Sequence, residues 1–131
     1  MMATFTPIAP PADLVYQPEK EITLEAPFTD WTTVELQITN PNSQKVAYFV
    51  KITRPNDFVV VPSKGFVEPS DTKQIRISRK PNVLPREEDR FTIVYLCIDN
   101  EAPRVDMSWF AQGLEKRILV SIRHKVAAVK S

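Results

Sequence analysis

The residue types that could carry catalysis or hold a metal are scarce in this chain, and their surroundings do not suit that chemistry. Cys97 is the only cysteine and His124 the only histidine among 131 residues. A thiolate–imidazole pair needs an exposed cysteine beside the ring. Cys97 instead lies in the apolar run Ile93-Val94-Tyr95-Leu96-Cys97-Ile98 and reads as a buried thiol. One cysteine and one histidine are too few for a zinc site. Carboxylates cluster in Glu87-Glu88-Asp89, but Arg86 and Arg90 flank them, which is the pattern of a solvated loop. Gly65 and Gly113 are the only glycines, so no phosphate-cradling loop can form. Trp31 and Trp109 lack the interleaved basic residues of a nucleic-acid platform. These residues point away from an enzyme and imply no cofactor or metal.

Charge adds little pull toward a polyanion. The net charge is +1, too small to draw the chain to nucleic acid or an anionic membrane. The last 28 residues hold six basic side chains, Arg104, Lys116, Arg117, Arg123, Lys125 and Lys130, against Asp106 and Glu115. They read either as a basic face or, more plainly, as a solvated strand edge with scattered cations. The N-terminus lacks the basic and apolar regions of a signal peptide, and no apolar run approaches a membrane span. With a lone cysteine, a soluble, reducing, cytoplasmic setting without membrane insertion is expected.

The elements that must position these residues read as strands. Val34, Leu36 and Ile38 alternate with Thr33, Glu35, Gln37 and Thr39, a period of two. Further β-like stretches cover Leu14 to Tyr16, Ile22 to Leu24, Val46 to Thr53, 58–61, 66–67, Gln74 to Ser78, Phe91 to Ile98 and Ile118 to Ile122. Asn40-Pro41-Asn42-Ser43 and Asn100 to Pro103 separate some of them as turns. Only Ser108 to Lys116 has any helical character. Val59-Val60-Val61-Pro62-Ser63-Lys64-Gly65-Phe66-Val67-Glu68-Pro69 reads as strand, tight turn, strand, with Gly65 supplying a positive φ. Apolar and charged contents of 43% and 25% are globular values. The expected fold is an all-β, immunoglobulin-like, seven-stranded β-sandwich over residues 13–126, with an N-terminal arm at 1–12 and a tail at 127–131.

Several of these segments together resemble the major sperm protein (MSP) domain. Glu21-Ile22-Thr23-Leu24-Glu25-Ala26-Pro27-Phe28-Thr29-Asp30 is similar to a strand and Ala-Pro turn of the nematode sperm branch. Val34 to Asn40, Val46 to Thr53 and Pro62 to Pro69 follow in family order. Trp109-Phe110-Ala111-Gln112-Gly113, with Lys116-Arg117 after it, resembles that branch's Trp-Phe-Gln-Gly segment, although Ala111 interrupts it and Leu119-Val120-Ser121 departs from the family's Leu-Pro-Ile.

The resemblance implies a non-enzymatic sperm cytoskeletal protein, cytoplasmic, acting in amoeboid motility. Its implied partners are MSP-domain proteins or MSP filaments, with a homodimer among the family's states. A second branch, the VAMP-associated adaptors, implies a different use. There a basic face receives an acidic peptide bearing two aromatic residues. Val50, Lys51, Thr53, Arg90 and Lys116 or Arg117 fall at that face by motif alignment. Ile52 and Thr92 stand where the adaptors carry a hydroxyl residue and a methionine.

Overall fold

The computed structural model describes residues 5–125. In chain order the strands are β1 (Val15–Gln17), β2 (Glu21–Glu25), β3 (Thr32–Thr39), β4 (Lys45–Ile52), β5 (Phe58–Val61), β6 (Lys64–Val67), β7 (Thr72–Arg79), β8 (Arg90–Ile98) and β9 (Lys116–Lys125). They form two sheets, ordered β1-β3-β7-β5 and β2-β9-β8-β4-β6. All ladders are antiparallel except β2–β9. The expected all-β sandwich is therefore present, and among the described residues its strands number nine because several short segments pair separately. The helical segment shrinks to a 3-10 helix, Met107–Ala111, capped by the Asp106 side chain.

Period-two patterning explains the core. Leu36, Ile38, Ile75, Ile77, Ile93 and Tyr95 are buried between the sheets, and Val34 packs half-buried against them. Cys97 is buried in the same core, which pushes its thiol up to about 11. A second apolar cluster lies on the outer side of the five-stranded sheet, where Ala47, Leu96, Ile98, Ala102 and Trp109 pack together. Phe5 of the arm joins it, and Ile8 exchanges two backbone hydrogen bonds with Cys97, of 2.9 and 3.0 Å. Residues 127–131 lie outside the described residues.

The glycine segment departs from expectation. β5 pairs with β7 in one sheet and β6 with β4 in the other, so residues 62–63 carry the chain between sheets and form no hairpin. Gly65 is inside β6, opposite Tyr48, and its φ is not positive; among the described residues Gly113 is the glycine that has one. Space at 65 is tight: a Cβ there would lie 3.2 Å from Tyr48 Oη and 3.4 Å from Lys73 Nζ.

Candidate functional site

Alternation along β4, β8 and β9 decides which of the expected interaction residues share a surface. Val46, Tyr48, Val50 and Ile52 face the core from β4, as do Phe91, Ile93 and Tyr95 from β8 and Ile118, Val120 and Ile122 from β9. Lys51, Arg90 and Arg117 have the opposite parity and lie on the outer side of the five-stranded sheet. Lys51 is in register with Thr92, and Thr92 with Leu119. Leu119 is 58% exposed and shares this side of the sheet with Lys51, Arg90 and Arg117. Neither Lys51 nor Arg90 forms an ion pair among the described residues, whereas Arg117 lies 3.5 Å from Glu115.

Two of the expected residues sit elsewhere, and a third is committed to local bonds. Val50 packs against the core. Lys116 has core-facing parity at the start of β9 and meets Asp13 at 2.6 Å. The Thr53 hydroxyl is spent on local bonds, accepting from the Arg90 amide at 3.0 Å and reaching Asp89 Oδ1 at 3.2 Å. The outer face thus assembles Lys51, Arg90 and Arg117.

The acidic loop holds what sequence reasoning missed. Glu87 and Glu88 are exposed, but Asp89 is buried, against the expectation of a solvated run. Its carboxylate accepts from Arg54 Nε at 2.8 Å and from the second Arg54 nitrogen, Nη2, as well. His124 Nε2 lies 2.8 Å away on the other side. The remaining ring nitrogen, Nδ1, is 2.9 Å from Arg79 Nη1. Arginine can only donate, so Nδ1 accepts and Nε2–H donates to Asp89, which defines a neutral imidazole tautomer. Arg79 is fully buried, lies 4.1 Å over the Phe28 ring, and donates to the Leu24 and Glu25 carbonyls at 3.3 and 2.7 Å. Burial lowers its affinity for a proton. Burial pushes the Asp89 carboxyl up, but hydrogen bonds from Arg54 and His124 outweigh this and hold it below the usual carboxylate range.

An Asp–His pair is one part of a nucleophilic triad, but here the outer ring nitrogen is taken by Arg79. No hydroxyl or thiol among the described residues reaches His124. Cys97 is at the opposite end of β8 from Arg90, the end near which His124 lies. The cluster is a clamp between sheets, joining β7 to β9 and to the segment before β8. Its one sequence signal is parity: Arg79, Asp89 and His124 continue the core-facing sets of β7, β8 and β9.

The match to the MSP (Major sperm protein) domain model covers residues 13–113. The chain belongs to the MSP domain family. That places it among structural and interaction domains. It is 25% identical to Major sperm protein 1 of Globodera rostochiensis over 89% of this chain and 97% of that protein. With the Uncharacterized protein ZK688.12 of Caenorhabditis elegans it shares 31% identity over 87% of this chain and 69% of the relative. Human Vesicle-associated membrane protein-associated protein A is 34% identical, but over 52% of this chain and 27% of the human protein's length. Thus the chain spans under a third of the vesicle-associated relatives it matches. The MSP family member WR4 of C. elegans superimposes with a TM-score of 0.68 at 25% identity, covering 85% of this chain and 96% of WR4. No helix among the described residues is long and apolar enough to cross a membrane.

Proposed function

We propose that this MSP-domain chain is a non-enzymatic component of the nematode sperm MSP cytoskeleton, acting as a filament subunit or as an accessory protein on fibres that support amoeboid motility. Its partners are other MSP-domain chains, and its place is the cytoplasm. The observation that carries this reading is coverage: similarity to Major sperm protein 1 runs through 97% of that protein. The architecture is compatible with it. Sheet edges are left open, and one of them is unusual: β2 pairs only with residues 121–125 of β9, leaving the outer edge of the Lys116–Val120 half without a β2 partner. Exposed backbone at such an edge recruits another strand, and repeated contacts of this kind build assemblies without nucleotide.

A second reading is favoured by one observation, the exposed cations Lys51 and Arg90, without an ion pair among the described residues, on the same side of the sheet as exposed Leu119. That face suits an acidic peptide with aromatic side chains, the adaptor mode. The double substitution Lys51→Glu and Arg90→Glu separates the two. Binding of assembled major sperm protein and of an acidic diaromatic peptide are both titrated by fluorescence anisotropy. The cytoskeletal reading expects fibre binding to survive the charge reversal. Loss of fibre binding together with loss of a wild-type peptide interaction moves the function to the basic face. A wild-type chain that binds neither overturns both readings.

A further inference from the structure

β6 ends the five-stranded sheet, and its free side faces a groove. The Val50 amide donates to the Ser63 carbonyl at 2.8 Å, so residues 63, 65 and 67 turn their backbone groups toward β4. Lys64 and Phe66 therefore aim N–H and C=O at the open side, where a further strand can pair with them. The groove beside them has a volume of about 390 Å³ and is lined by Lys64, Gly65, Phe66, Pro103, Arg104 and Val105. Lys64 and Arg104 are exposed and form no ion pair among the described residues. Neighbouring carboxylates are engaged already. Glu68 lies 3.7 Å from Lys45 Nζ, and Asp106 accepts from the Ser108 amide and hydroxyl at 2.9 and 2.8 Å.

On the core side of the same edge, two polar groups converge on the one position without a side chain. Tyr48, opposite Gly65 in the ladder, is fully buried, and its Oη has no hydrogen-bond partner. A Cβ at Gly65 would lie 3.2 Å from that oxygen and 3.4 Å from Lys73 Nζ, so the hydroxyl and the ammonium border one spot. Lys73 is half-buried, 5.9 Å from the centroid of the Tyr48 ring, and it too lacks an ion pair among the described residues. A buried donor and a cation beside it, neither answered, describe a place for an acceptor of negative charge.

We propose that the β6 edge docks an extended acidic segment of another protein, added as an antiparallel strand with a carboxylate opposite Gly65. Because Gly65 turns its backbone groups toward β4, it sits at a non-hydrogen-bonded position of the new ladder. Cα atoms approach there to about 4.5 Å, and side chains are closest. Glycine leaves its core side to the incoming carboxylate, which accepts from Tyr48 Oη and pairs with Lys73. The two flanking residues of the segment fall on the outer side, one against Phe66 and one against Lys64. Charge selects the occupant: a second β6 would bring another lysine and no carboxylate. Lys51 lies on β4, which β6 separates from this edge, so the site is distinct from the Lys51–Arg90 face and stands whichever reading above holds.

The test uses fluorescein-labelled cyclic hairpin peptides, titrated by anisotropy at about 0.1 M salt. In the first, the free strand reads Val-Asp-Glu, to oppose Phe66, Gly65 and Lys64 in turn. A second has Asn in place of Asp, and a third reads Asp-Val-Glu with its charge unchanged. The first should bind several-fold more tightly than either of the others. Tyr48→Phe and Lys73→Gln should each remove that preference with an unchanged thermal melt. The amides of Lys64 and Phe66 should gain exchange protection on binding. Lys51→Glu with Arg90→Glu should leave the preference intact. Equal binding of the three peptides overturns the proposal, as does no binding of the first into the millimolar range. A preference that survives both Tyr48→Phe and Lys73→Gln, or that is lost in the Lys51→Glu, Arg90→Glu chain, overturns it too. A chain that binds fibres but none of these peptides refutes the β6 site alone.

Discussion

Asp89 anchors the clamp that joins the two sheets, and its chemistry sets a pH response. Its folded carboxyl is held below its unfolded value, by hydrogen bonds from Arg54 and His124 that outweigh burial. A depressed folded pKa contributes stability above the unfolded value, about 4, and loses it as pH falls through the folded one. The melting temperature should therefore drop below about pH 4, and Asp89→Asn should flatten that drop while lowering stability at neutral pH. A variant whose acid profile parallels the parent's would remove Asp89 from this role. Asp89→Ala, which leaves Arg54 and His124 without their carboxylate, should cost about 3–5 kcal/mol by chemical denaturation, the usual cost of breaking a buried pair. At this scale the sequence was least legible. Asp89 looked solvated because its neighbours Arg86, Glu87, Glu88 and Arg90 are, and only its parity with Phe91 and Ile93 marks it as inward. The same parity puts Val50 and Lys116 off the outer face, which motif alignment alone cannot see.

Strands were more readable than residues, because their signal is repeated. Leu36 and Gln37 are adjacent on β3, one buried and one exposed. Leu36→Ala should cost about 2–5 kcal/mol by equilibrium unfolding, the range for a core cavity, and Gln37→Ala close to nothing. Equal sensitivity would refute the alternation. The link between β5 and β6 was misread because proline and glycine after a valine run describe a hairpin as well as they describe a change of sheet. Which sheet a strand joins depends on distant partners, here β7 and β4. The role of Gly65 changes accordingly. Gly65→Val should destabilise by about 1–3 kcal/mol through overpacking against Tyr48. Tyr48 Oη is buried without a hydrogen-bond partner, so Tyr48→Phe should be tolerated and should recover part of the loss. A double-mutant cycle with no coupling between these sites would return the glycine to a purely backbone role.

At the scale of the whole molecule, what distinguishes this sandwich is a closed interior beneath reactive edges. The thiol, the histidine and Asp89 are spent on packing and clamping, while strand edges, Lys51 and Arg90 stay exposed. Fold class was legible throughout, since alternation, proline-rich turns and ordered motifs agreed. Function was legible only to the level of the family, because partner choice depends on edges and faces that no local motif encodes. Co-pelleting with assembling major sperm protein, at about 0.1 M salt and again at several-fold higher salt, tests the central claim most directly. Charges are screened beyond about 10 Å at 0.1 M, and more tightly above it, whereas edge pairing and apolar packing persist. The account predicts that the chain enters the pellet in saturable proportion and stays there at high salt. A chain that remains in the supernatant at both concentrations would contradict it.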